Sequence, residues 1–115
     1  MNKVVFVLIH LGCLLVFWSG ASVTALVICA LLYFVRMFAI TAGYHRLFSH
    51  RSYDTSRVFQ FILAFIGACS AQKGPLWWAA SHRHHHKHSD TEHDLHSPGM
   101  RGIWWAHMGW VLSRD

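Results

Sequence analysis

Two short histidine clusters dominate the chemistry this chain has to offer. The first is His45-Arg46-Leu47-Phe48-Ser49-His50, and the second is His82-Arg83-His84-His85-His86. On a helix, His82, His85 and His86 stand at i, i+3 and i+4 and project from one side. His85 and His86 are nonetheless about 100° apart around the axis, so adjacent ligands splay and suit two neighbouring ions better than one. His45 and His50 diverge by roughly 140° on α-helical geometry and are expected to serve separate ions too. The spacing favours a two-metal site.

Ligand type leaves the metal open, because imidazole suits zinc, copper, iron and nickel alike. Neither cluster has a cysteine beside it, the Glu-x-x-His pairs of soluble di-iron bundles are absent, and so is the HExxH pattern of zinc proteases. Five boxed histidines are also too few to fill two coordination shells.

The elements that must position these clusters are apolar. Hydrophobic residues make up 54% of the 115 and charged residues only 13%, against about 25% charge in an ordinary soluble domain. No Lys, Arg, Asp or Glu falls between Lys3 and Arg36, a run too long for one span of about 20 residues. Trp18-Ser19-Gly20-Ala21-Ser22 breaks it with small residues. The expected structure is a helical hairpin of two transmembrane helices, Val4–Trp18 and Ser22 to about Tyr44. A cleaved signal peptide is the rival, disfavoured because a second apolar run follows where a soluble domain should begin. The hairpin turn is uncharged while Lys3 and the region from Arg46 to Lys87 are basic, which puts both ends on the cytoplasmic side.

A shorter apolar stretch, Val58 to Ala71, reads as an interfacial or buried helix, bracketed by Arg57 and Lys73 as snorkelling anchors. After Pro75 come Trp77 and Trp78, the histidine-rich stretch to His96, then Trp104, Trp105 and Trp110, tryptophans suited to the headgroup zone. The fold class is therefore all-α and integral to a membrane, in one partial domain: residues 4–44 form the hairpin, and 45–115 form a cytoplasmic-face region carrying the histidines. The formal charge of +5 is spread along the chain, so no Lys/Arg cluster of the kind that binds nucleic acid is present, and anionic lipid headgroups or a phosphate-bearing ligand on the cytoplasmic side are the expected partners. Cys13, Cys29 and Cys69 lie in apolar stretches and read as buried thiols.

The flanking residues carry a resemblance. Thr41-Ala-Gly-Tyr-His-Arg-Leu-Phe-Ser-His-Arg-Ser-Tyr53 and Trp77-Trp-Ala-Ala-Ser-His-Arg-His-His-His86 resemble the first two histidine boxes of membrane fatty acid desaturases. Ser89-Asp-Thr-Glu-His-Asp-Leu-His-Ser-Pro98 and His107-Met-Gly-Trp110 are similar to the Δ9 acyl-CoA branch. The resemblance implies a di-iron centre, with zinc as a substitute ion, that uses dioxygen and two electrons to place a cis double bond in an acyl chain. It implies His45, His50, His82, His85 and His86 as iron ligands, and Asp90 and Asp94 as carboxylates that orient ligand histidines. Gln72 and Trp78 match residues at the bend of the acyl tunnel, and Arg46, Arg51 and Lys73 are candidates for coenzyme A phosphates. The implied partners are an acyl-CoA or acyl-lipid substrate, membrane lipids, and an electron donor such as cytochrome b5 or ferredoxin.

The chain departs from that family in two ways. It stops at Asp115 before a third histidine box, so an inactive N-terminal fragment is expected. Ser81 stands where animal relatives carry an acid that helps bind coenzyme A. The remaining histidines, His84, His88, His93 and His96, fall outside the boxes and are expected to face solvent or support the ligands. His10 and His107 are expected in hydrogen-bonded structural roles. A membrane di-iron hydroxylase and a non-enzymatic, histidine-rich metal-binding membrane protein are the competing functions.

Overall fold

The computed structural model describes residues 3–94 and 96–113, and every regular element among them is helical. The first apolar arm is α1, Lys3–Cys13, followed by a single turn, α2, Val16–Ser19. Gly20, at φ +69°, ends it in a conformation that favours glycine. Ser22 then caps α3, Val23–Phe38, its side chain accepting from the Ala25 N–H. The break falls where the small residues predicted it. From Val23 to Ser49 the chain is continuously helical, 27 residues long, and it alone among the described helices is long and apolar enough to cross a membrane. The first arm is shorter, and neither α1 nor α3 has a buried residue. Their apolar side chains face outward, a surface that suits lipid.

The second half of that long helix changes winding. Ala39–Ser49 is a π-helix, with i→i+5 hydrogen bonds that continue to His50 N–H donating to the His45 carbonyl at 3.0 Å. Such winding is rare and concentrates at functional sites. This segment also holds most of the buried side chains. Ala39 and Leu47 pack with Leu63 of α4, Arg57–Ala68, and Phe48, Tyr53 and Ile66 close over them.

The α4 helix begins at Ser56, whose hydroxyl accepts from the Phe59 N–H, and lies close against the π-helix. A Cβ on Gly43 would stand 3.0 Å from the Leu63 Cβ, and one on Gly67 would overlap the ring of Tyr44. Tyr44 is fully buried, and its hydroxyl lies 3.1 Å from the Lys73 carbonyl and 3.3 Å from that of Ala64. The residue before the first box thus bolts its helix to α4 and to the loop beyond.

Pro75, in the first turn, starts α5, Pro75–His88, which carries the second cluster. It crosses the end of the π-helix, where Arg83 Nη1 reaches the Phe48 and Ser49 carbonyls at 3.5 and 3.4 Å. Shorter pieces follow: α6, Pro98–Trp104, a π-helical turn, Trp105–Gly109, and α7, Trp110–Leu112.

The cysteines differ from expectation. All three are free, as expected, but all are exposed on the protein surface. Cys13 and Cys29 belong to outward apolar arms, so their apolar neighbours in sequence do not enclose them.

The glycine contact gives a test. Gly67→Ala must displace the Tyr44 ring, and overpacking of this kind costs about 1–3 kcal/mol. Gly12→Ala, where an added methyl meets nothing within 4 Å, is expected to be neutral or to stabilise by up to about 1 kcal/mol. Thermal unfolding of both variants in detergent, followed by circular dichroism, reads the contrast.

Candidate metal centre

The π-helix and α5 bring both histidine clusters to one place. Ligand atoms of His45, His50, His82 and His86 all lie within 4.8 Å of one another. His82 is at the centre: its Nε2 is 3.1 Å from His50 Nε2 and 3.0 Å from His86 Nε2. At that separation one imidazole N–H can donate to its neighbour's lone pair. It is also close to the separation of about 3.3 Å between ligand atoms of a tetrahedral ion with bonds of ~2.05 Å. The chemistry of the donor set therefore fits a transition metal.

His45 and His50 do not diverge as α-helical geometry predicted. Their ring centroids are 4.6 Å apart. The reason is the winding: i→i+5 hydrogen bonds bring residues five apart to nearly the same side of the helix. The two stand beside one potential ion, not two.

His85 and His86 separate as their angular offset required. His86 joins the four-ring group, its centroid 4.5 Å from that of His82, while His85 is 6.4 Å from His82. A second group forms from His85, Asp94 and His96. His85 Nδ1 donates to Asp94 Oδ1 at 2.9 Å, leaving Nε2 as its remaining ligand atom. A carboxylate that fixes a ligand histidine's tautomer in this way is common beside metals.

Asp94 is buried at 2% exposure and accepts backbone N–H groups as well, from His96 at 3.3 Å and Asp90 at 3.2 Å. Burial opposes its charge, yet the bonds from His85, His96 and Asp90 outweigh that and hold its carboxyl below the usual value. Asp90 plays a different part from the one expected. Its carboxylate accepts from the buried Ser97 hydroxyl at 2.9 Å, so it braces the loop and reaches Asp94 through its own N–H.

The two residues matched to a substrate path touch each other. Trp78 Nε1–H donates to Gln72 Oε1 at 2.9 Å, and the same indole stacks on His82, centroids 4.8 Å apart at 22°. Along α3 runs a groove of about 650 Å³ whose lining includes Cys29, Leu32, Tyr33 and Met37, with Ser70 and Gln72 on its other side. Of the candidate phosphate contacts, Lys73 has its ammonium 3.8 Å from the centre of the Trp77 ring. Residue-type reasoning missed Tyr44, Arg83 and Ser97. Arg83 lies inside the second box, but its carbonyl partners on the π-helix have no local signature.

Electrostatics favour a neutral His82. Burial, then the neighbouring rings of His86, His45, His50 and His85, push His82 down to about 4. His96 is lowered in the same sense, by burial first and then by His85, against an opposing effect of Asp94. A histidine lowered from 6.5 takes up its proton more readily in the unfolded chain. Its contribution to stability is present above pH 6.5 and is lost as pH falls through about 4. Titration of the His82 ring by NMR is expected to show a midpoint near 4, with thermal stability declining across the same interval. A midpoint near the unperturbed 6.5 contradicts this picture.

The comparisons with known proteins come from sequence. No protein-family profile matches the chain, and no solved structure does. The sn-1 stearoyl-lipid 9-desaturase of Anabaena variabilis is 39% identical over 113 residues, covering 96% of this chain and 41% of the relative. Acyl-CoA desaturase 1 of Saccharomyces cerevisiae is 46% identical over 74 residues, 64% of this chain and 14% of the relative. A hex-5-enoyl-[acyl-carrier protein] acetylenase of Moorena producens is 33% identical over 112 residues, 88% and 35% respectively. This chain thus spans at most 41% of these relatives' lengths. The Anabaena match takes in both histidine clusters, and with the yeast match it establishes that this chain belongs to the fatty acid desaturase family.

Proposed function

We propose that this chain supplies the first two histidine boxes of a membrane di-iron desaturase, which uses dioxygen and two electrons to place a cis double bond in a fatty acyl chain. The observation that carries this reading is the convergence of four imidazoles from two boxes at the end of a membrane-length helix. His45, His50, His82 and His86 hold one iron in this reading, and His85 offers Nε2 to the second. Iron bound there supplies the activation of dioxygen that an unactivated C–H bond requires. The remaining ligands come from outside this chain, because five imidazoles cannot complete two coordination shells.

The chain's own residues prepare that site in three ways. Packing keeps His82 neutral, so its lone pair stays open to metal at physiological pH. Asp94 fixes the His85 tautomer. The Gln72–Trp78 pair stands between the four rings and the groove along α3, where it shapes the path of an acyl chain. The groove's lining runs from Ala25 to Ile40, about 22 Å of helix, a length suited to a long fatty acyl tail. Basic residues at its metal-bearing end support a cytoplasmic location for the histidines. Substrate arrives as acyl-CoA or acyl-lipid, and electrons come from a protein donor such as cytochrome b5 or ferredoxin.

The test uses the complete protein that contains this chain, loaded with iron and given an electron donor. Saturated acyl chains are supplied as the coenzyme A thioester in one arm and as lipid in the other. The expected product is a cis alkene in at least one arm. His86→Ala is expected to lower turnover by about 100-fold or more, as losing a metal-binding partner does at its strong end. An alcohol product would point to the hydroxylase reading instead. Unchanged acyl chains with iron bound would contradict desaturation altogether.

A further inference from the structure

The α5 helix carries histidines on two sides, and only one side serves the inner cluster. His84 is two residues from both His82 and His86, which places it about 200° around the axis from each. His88 stands in the same relation to His86. His84 and His88 are four apart, so their side chains lie one turn above the other. Their ring centroids are 4.6 Å apart, at 39°.

A third ring is brought to them by the loop. The Thr91 N–H and hydroxyl both donate to the His88 carbonyl, at 3.1 and 2.7 Å, and the Asp94 N–H donates to the Thr91 carbonyl at 3.0 Å. Those bonds turn the chain back as soon as the helix ends. The next anchor is the buried Asp94 carboxylate, tied to His85 and to the Asp90 N–H. His93, immediately before that anchor, has its ring centroid 5.7 Å from His88. Within the inner cluster the corresponding separations run from 4.5 to 5.2 Å. The His84–His88 separation falls within that range, and the His88–His93 separation exceeds it by 0.5 Å.

We propose that His84, His88 and His93 form an outer site for a divalent transition-metal ion, separate from the inner cluster and independent of the desaturase reading. His84 and His93 are exposed and His88 is half-buried, so an ion enters from water and keeps water in its open positions. Three imidazoles without a carboxylate or thiolate select late transition ions over magnesium or calcium, with copper(II) bound most tightly. Paired histidines at i, i+4 on a helix are themselves a known zinc-binding arrangement. The loop histidine adds a third donor when its side chain turns toward the pair, the backbone of the turn being held already by hydrogen bonds.

Copper(II) is the probe. The full chain in detergent is titrated at neutral pH, with calorimetry for stoichiometry and electron paramagnetic resonance for nitrogen ligation. His84→Ala/His88→Ala is expected to remove one equivalent of copper. His93→Ala is expected to weaken that same equivalent about tenfold or more, and His50→Ala, on the inner side, to leave it in place. His84→Gln alone, at an exposed position that does not bear on folding, is expected to weaken it as well. Unchanged copper number and affinity in the double variant and in His84→Gln would overturn the proposal. So would loss of the same equivalent in His50→Ala.

Discussion

Imidazole rings packed with centroids 4.5 to 5.2 Å apart make it costly for His82, the ring at their centre, to take up a proton. Burial opposes the charge first, and protons on two neighbouring rings would repel each other. The low value at His82, about 4, expresses that constraint. The surrounding scaffold is arranged to enforce it. Tyr44 bolts the π-helix to α4 and to the loop beyond it through two backbone carbonyls, Gly67 leaves room for its ring, and Arg83 ties α5 to the end of the π-helix. Rings held in contact in this way bring their ring nitrogens together, as a transition metal requires.

Much of this was legible from residue types and spacing. The small residues around Gly20 mark the break in the apolar run, and the short apolar stretch after Arg57 forms a helix. The 100° offset between His85 and His86 also foretold that they would part. Winding was not legible. Ala39–Ser49 reads as ordinary helix in its pattern, and its i→i+5 bonds accompany contacts with α4 and α5 from distant parts of the chain. That one difference moved His45 and His50 from opposed positions to neighbouring ones. Asp90 was misjudged for a related reason: proximity in sequence to the second box does not say whether a carboxylate or its backbone N–H does the work. Asp94, four residues on, is the one that touches a histidine.

The setting of the site follows from what α1 and α3 leave uncovered. Both are apolar on faces that no other described element buries, and among the described helices only Val23–Ser49 has spanning length. Its first part lines a largely apolar groove, and its last turns carry His45, with His50 just beyond the end. One continuous helix thus joins a lipid-like environment to a cluster of nitrogen donors, with Trp78 and Gln72 at the junction. An acyl chain is the kind of molecule that can lie in the first and present a carbon to the second.

The most direct measurement of the central claim is X-ray absorption on the chain bearing one equivalent of zinc, in the His84→Ala/His88→Ala background so that the outer face takes no part. If the two boxes form one ligand group, the zinc shell contains four imidazole nitrogens at about 2.0–2.1 Å. A shell with two or fewer imidazoles, completed by oxygen, would mean that His45, His50, His82 and His86 do not act together.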